Sequence, residues 1–374
     1  MKRLLVSVVL FVLTCLLIMP TLTQDDVFTY AGVDFTVEEY AFANYPVALA
    51  FTPDGRLFFT EKNSGNVRVI SADGDLQSEP VITFDVSAVA ERGLLGIAID
   101  PDYENNGFIW VAMIREATAR DFATNQIVRF HEEDGVGIDP EVMLNVPLDN
   151  NALIHHGGNL HFDAEGYLYY TIGNNENPAN SQDVETMAGG IHRFSVADDG
   201  LEPAEGNPFG DDSSLWAYGL RNSFDFAFDI FGFGILATEN GDQCDDEVNL
   251  ILPAINYGAG ENYVCGERAE GVETLGYMPP IVSFTPTIGA TGIIVYDHPA
   301  IPEWEGSVFF CGWVLGTLYH MELNTTRTTM ESLDEVPMGE ATCRIDIAIG
   351  LEGGLYFTSV GRETGMIYRL LPVE

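Results

Sequence analysis

Gly55-Arg-Leu-Phe-Phe-Thr60 opens a pattern that the chain repeats: a glycine, then a run of aromatic and β-branched residues. It returns as Gly107-Phe-Ile-Trp-Val-Ala112, Gly166-Tyr-Leu-Tyr-Tyr-Thr171, Gly234-Ile-Leu-Ala-Thr238, Gly306-Ser-Val-Phe-Phe-Cys311 and Gly354-Leu-Tyr-Phe-Thr358. Each run is a strand signal bounded by turn residues. The Gly-to-Gly spacings are 52, 59, 68, 72 and 48 residues. A period near 40–50 residues with loop insertions is the signature of propeller blades, each a four-stranded sheet. Six copies predict an all-β, six-bladed β-propeller of four-stranded antiparallel blades.

Two further runs accompany each copy. Upstream lie apolar segments such as Val47-Ala-Leu-Ala-Phe51 and Phe224-Asp-Phe-Ala-Phe228. Downstream lie segments such as Asn66-Val-Arg-Val-Ile70 and Met366-Ile-Tyr-Arg-Leu370. Turn clusters such as Thr52-Pro-Asp-Gly55 join the first run to the second. The first run of each blade is expected nearest the axis. The fourth, outer strand has no clear signal. No long stretch carries a 3.6-residue apolar period, so almost no helix is expected.

The first residues read as an export signal. Met1-Lys-Arg3 is a positive start, Leu4 to Met19 an apolar run and Thr21-Leu-Thr23 a small-residue exit. This divides the chain into a secretory segment, 1–24, and one propeller domain, 25–374, secreted or periplasmic. No later segment is long and apolar enough to span a membrane. The 57 acidic residues outnumber the 16 basic ones, for a net charge of −41. Nucleic acid and anionic membrane are therefore poor partners. Most of that charge reads as a solvated acidic surface, and a smaller share as calcium ligands. Cys244, Cys265, Cys311 and Cys343 lie beyond the signal. Export favours disulfides, and four cysteines permit three connectivities. Cys244 with Cys265 would close a local loop; Cys311 with Cys343 would link neighbouring blades.

Three segments look unlike ordinary blade sequence. Ile154-His-His-Gly-Gly-Asn-Leu160 pairs histidines with glycines, which suits close approach of backbone to a ligand. A histidine here can act as a base near neutral pH; the plainer reading is a hydrogen-bonded structural histidine. Trp216-Ala-Tyr-Gly-Leu-Arg-Asn-Ser-Phe224 sets an arginine beside an asparagine, which suits an anionic ligand, or else a surface ion pair. Glu239-Asn-Gly-Asp-Gln-Cys-Asp-Asp-Glu-Val-Asn-Leu250, followed by Asn256-Tyr-Gly258, is either a solvated loop or a calcium loop, and it lacks EF-hand spacing.

Together these segments resemble the soluble quinoprotein sugar dehydrogenases, the glucose/sorbosone dehydrogenase-like six-bladed propellers, from about Tyr45 to Leu370. Tyr45-Pro-Val-Ala-Leu-Ala-Phe-Thr-Pro-Asp-Gly55, Glu91-Arg-Gly-Leu-Leu-Gly96, His155-His-Gly-Gly-Asn-Leu160, Tyr218-Gly-Leu-Arg-Asn222 and Asp246-Glu-Val-Asn-Leu250 match in order. The resemblance implies oxidation of a sugar or related alcohol, with hydride passing to pyrroloquinoline quinone held with Ca²⁺ in the channel mouth. By position, His155 would be the catalytic base and Arg221 and Asn222 would face the cofactor. Glu91 would touch the sugar. Gly241 and Asp242 would offer carbonyls to the Ca²⁺, and Asp246, Glu247 and Tyr257 would form a second, structural calcium site.

The chain departs from that pattern where relatives carry cations for the quinone's carboxylates. Val314 falls at a lysine position, Cys343 and Ile345 fall at two arginine positions, and Arg344 is one residue off register. In an extended strand that offset turns Arg344 to the opposite face. Ile154 stands where a carboxylate usually precedes the base. Two other functions stay open at this stage: a non-catalytic, calcium-stabilised propeller that binds carbohydrate or protein, and a calcium-dependent lactonase or esterase.

Overall fold

The computed structural model describes residues 27–118, 122–148, 151–261, 263–265, 278–361 and 364–373. The export segment, 1–24, lies outside them. Six antiparallel sheets follow one another along the chain. The first comprises Pro46–Phe51, Leu57–Glu61, Asn66–Ile70 and Ile82–Thr83. The second, fourth and fifth repeat that four-stranded order. The third carries a fifth strand, Leu215–Tyr218, paired with Gly190–Val196.

The sixth sheet closes the ring with both parts of the chain. Ile347–Ile349, Leu355–Val360 and Gly365–Pro372 come from late in the sequence. Val33–Ala43, from early in it, pairs antiparallel with Gly365–Pro372, Phe35 opposite Pro372 and Ala43 opposite Gly365. Val27–Tyr30 adds a fifth strand outside it.

The innermost strands are the upstream runs, and they contact one another in a closed circle. Pro46–Phe51 meets Leu94–Ile99, which meets Leu160–Phe162, then Ser223–Phe228, Ala290–Val295, Ile347–Ile349 and Pro46–Phe51 again. The second strands are buried along their whole length: Leu57–Glu61, Leu168–Ile172, Ile235–Glu239 and Val308–Gly312 expose nothing appreciable. A blade is covered on both faces by its neighbours, so such a strand reads as an unbroken apolar run rather than an alternating one. Six apolar clusters fill the six gaps, for example Ala48, Phe58, Val67, Ile97, Ile109 and Val111 between the first two blades.

Five of the six pattern glycines sit at left-handed turns: Gly55 (φ 86°), Gly107 (61°), Gly166 (86°), Gly234 (147°) and Gly306 (80°). In the sixth blade Gly353 (84°) takes that role, one residue before Gly354. Among the described elements the helical ones are the single turn Tyr103–Asn106 and the short 3₁₀ segments Pro178–Gln182 and Pro302–Trp304. Both expected disulfides are present, Cys244–Cys265 within the fourth blade's loops and Cys311–Cys343 between the fifth and sixth blades.

Candidate active site

Two adjoining cavities open at one mouth of the channel. The first, about 440 Å³, has an apolar wall of Tyr45, Val47, Phe224, Trp313 and Ile345 and a polar wall that includes Glu91, His155, Arg221, Asn222 and Asn240. The second, about 460 Å³, is lined by Glu239, Asp242, Glu247 and Tyr257 among others. His155, Arg221, Asn240 and Gly241 border both. Eight of the nine sequence-predicted site residues therefore meet here. The ninth, Asp246, lies behind the wall. Its carboxylate accepts the backbone N–H groups of Gly241 (2.9 Å), Ile288 (2.8 Å) and Gly289 (2.6 Å), which ties the loop to the next blade.

The His155 segment is not an extended strand. His155 itself is left-handed (φ 63°), as are Gly157 (59°) and Gly158 (109°). That backbone is costly for histidine, and surrounding bonds hold it. The His155 N–H donates to Glu91 Oε2 at 2.6 Å, and the Gly157 N–H to Asn222 Oδ1 at 3.1 Å. Arg92, buried, donates to the carbonyls of Asn151 (2.5 Å) and Ala152 (2.6 Å), fixing the loop that leads in. An extended backbone would turn His156 to the opposite face; with this bend both histidines border the first cavity. They differ in environment. His156 is almost wholly enclosed, and burial pushes its pKa down to about 4.

The His155 tautomer follows from its partner. Nδ1 lies 2.9 Å from Asn174 Oδ1, and Asn174 Nδ2 donates to Ser181 Oγ at 3.3 Å, which orients the amide. Nδ1 thus carries the proton and Nε2 keeps its lone pair. Burial first, and the Arg221 charge second, hold the imidazole below its ordinary pKa. It is neutral near pH 7 and ready to accept a proton. Burial also raises Glu91, against the pull of the His155 N–H and the Arg221 and Lys62 charges.

Arg221 spans the border of the two cavities. Its Nη1 donates to the carbonyls of Asn240 (2.9 Å) and Gly241 (2.8 Å), and Nη2 lies 3.4 Å from Asp242 Oδ1. The backbone N–H groups of Arg221 and Asn222 both donate to Glu239 Oε1, at 2.7 and 2.8 Å. Glu239 stands opposite Glu247 on the next strand. Its Oε2 is buried without a partner among the described residues. Burial, with Glu247 adding to it, pushes Glu239 up to about 8. The Tyr257 hydroxyl donates to Leu250 O at 2.7 Å, so its own oxygen faces the strand. Among the described residues no three His, Cys, Asp or Glu side chains converge as a preformed metal cluster.

At the divergent positions, Ile345 lines the apolar wall and Cys343 is locked in its disulfide. Val314 and Leu315 stand exposed on the hairpin beside Trp313. Arg344 turns to that hairpin and donates to the Trp313 and Val314 carbonyls. Sequence reasoning missed Asn174 and Lys62, and placed Glu239 in the candidate calcium loop without giving it a role. Lys62 had a legible signal: the chain has no other lysine except Lys2.

The sequence matches the glucose/sorbosone dehydrogenase family over residues 43–369. It is 25% identical over 347 residues to the aldose sugar dehydrogenase YliI of Escherichia coli, covering 88% of this chain and 90% of that one. It is 28% identical over 246 residues to quinoprotein glucose dehydrogenase B of Acinetobacter calcoaceticus, covering 58% of this chain and 50% of that one. The fold superposes on the soluble aldose sugar dehydrogenase of Escherichia coli in its apo form with a TM-score of 0.79, at 24% identity, over 91% of this chain and 100% of the other.

Proposed function

The chain belongs to the glucose/sorbosone dehydrogenase family, and on that premise we propose that it oxidises a hydroxyl of a sugar or related alcohol with pyrroloquinoline quinone and calcium. The observation that carries this reading is the state of His155. A dehydrogenase of this kind needs a neutral base at the cavity wall, with its lone pair directed by a fixed partner. Asn174 supplies that partner, and burial with Arg221 supplies the neutrality. In the proposed reaction His155 Nε2 takes the hydroxyl proton of the substrate. Glu91 holds the His155 backbone and reaches the same space, where it accepts a sugar hydroxyl.

The cavity fits a planar quinone. Tyr45, Val47, Phe224 and Ile345 offer apolar contact to a ring, and Arg221 with Asn222 offers a cation and an amide at its edge. The bound quinone supplies the hydride acceptor. The second cavity fits a hard cation: Glu239 Oε2 is a buried carboxylate oxygen with no partner among the described residues, and Glu247 faces it across the ladder. Gly241 and Asp242 complete the oxygen-rich edge that Ca²⁺ takes. The two disulfides and the leader-like residues 1–24 support an extracytoplasmic site, secreted or periplasmic.

Reconstitution tests the proposal. Metal-free protein is supplied with Ca²⁺ and quinone, then assayed for a bound-quinone spectrum and for dye reduction with a sugar panel. Both should appear together and vanish with chelator. Absence of both at high micromolar quinone rejects the reading. Calorimetry gives the affinity. Each missing charge-assisted hydrogen bond is worth roughly 1.5–3 kcal/mol, so binding weaker than nanomolar is expected from Val314, Cys343 and Ile345.

A further inference from the structure

The geometry points to Lys62 as a ligand-binding cation of the first cavity, one that receives a carboxylate oxygen. Lys62 and Lys2 are the only lysines in 374 residues, in a chain with 57 acidic side chains. A solvated lysine has been dispensed with everywhere else, yet Lys62 is only 9% exposed and lines the cavity.

Its placement is built in. A Cβ on Gly93 would fall 2.5 Å from Lys62 Cγ and 2.4 Å from its carbonyl oxygen, so only glycine there admits the lysine stem. The ammonium donates to Ala90 O at 2.8 Å and Asn63 Oδ1 at 3.1 Å, and lies 5.4 Å from the centroid of the Tyr45 ring. These partners are neutral oxygens and a ring face. Among the described residues no carboxylate makes an ion pair with it, and Glu91, the neighbouring acid, is taken up by the His155 N–H. An ammonium has three N–H donors, and two are accounted for. Glu91 acts on it electrostatically without making contact. A buried cation with no contacting carboxylate is costly; an anionic ligand in the cavity offsets that cost and takes the third donor.

The proposal rests on the reading of this cavity as the ligand site. A carboxylate can come from the quinone or from a sugar acid beside Glu91, and the experiment separates the two. The calcium-loaded protein is produced with ¹³C-labelled lysine. Lys62 then gives one Cε resonance, distinct from that of Lys2 near the chain start. It is followed over pH with pyrroloquinoline quinone, with gluconate and with glucose. A carboxylate contact moves the resonance and raises the amine's pKa; glucose, which has no charge, leaves the pKa in place. A response to the quinone assigns its carboxylate to Lys62, and a response to gluconate alone assigns the sugar subsite.

Lys62→Met should weaken the responding ligand by about 10- to 100-fold, the worth of one charge-assisted hydrogen bond, with Lys62→Arg partly restoring it. Melting curves without ligand check that both variants fold, and the wild-type resonance stands whether or not they do. A resonance that neither carboxylate moves overturns the proposal. Quinone heat with an unmoved resonance leaves the dehydrogenase reading intact. No quinone heat and no dye reduction rejects that reading, and gluconate still decides for Lys62.

Discussion

His155 joins three constraints in one residue: a left-handed backbone, a fixed tautomer and a lowered pKa. His155→Ala should therefore lose about 10²–10⁴-fold in kcat, the usual worth of a general base, with little change in melting temperature. His156→Ala should show the reverse, because its enclosed ring packs rather than reacts. Steady-state kinetics beside thermal melts separates the two, and equal rate losses would remove His155 from its role. Residue types marked the segments around His155 and Arg221 as unusual, and the family resemblance picked out His155, Arg221 and Asn222 within them. Residue types alone did not show which histidine is set up as a base. That setting depends on Asn174, 19 residues away in sequence, and on a backbone angle that no residue type announces. Burial also pushes the pKa of His156 and of His192 down to about 4. Between pH 6.5 and 4 the unfolded chain then binds more protons than the native one, so stability falls as pH falls, by up to about 1.4 kcal/mol per unit for each histidine. The buried Glu239 and Asp346, both raised, act in the opposite sense. His192→Gln isolates the histidine share: denaturant melts from pH 7 to 4 should lose one such slope.

Elements were legible in proportion to their burial. The second strands, enclosed on both faces, announced themselves as apolar runs. The outer strands did not, since Val136–Pro147 is largely exposed and Ile82–Thr83 and Val282–Phe284 are very short. Pairing at a sheet's rim is decided by the neighbouring strand more than by the residues themselves. The Cys311–Cys343 bridge joins two blades across 32 residues of chain. By loop-closure entropy it is worth about 3–4 kcal/mol. Cys311→Ser with Cys343→Ser should lower stability by that order, measured in denaturant without reductant. An unchanged midpoint would show that the blades hold each other without it. Because Arg344 adjoins Cys343 and ties down the Trp313 hairpin, the double variant should also weaken ligand binding.

At the scale of the whole molecule, a net charge of −41 works against compactness through self-repulsion. Added salt shortens the Debye length from about 10 Å at 0.1 M to about 3 Å at 1 M. The melting temperature should therefore rise by several degrees over that range in sodium or potassium chloride. A flat or falling curve would show that the carboxylates are already neutralised by local partners.

The sixth blade sets an order of events. Its second hydrogen-bonded neighbour for Gly365–Pro372 is Val33–Ala43, more than 320 residues earlier. During synthesis the early strands wait, edge exposed, until the last residues emerge from the ribosome. Contacts of such separation slow folding. The ring closes only then, and the mouth with it, since Tyr45 and Lys62 meet Ile345 across that seam. A chain halted a few dozen residues early would hold most of its blades and no working mouth, which makes ligand binding a clock for completion.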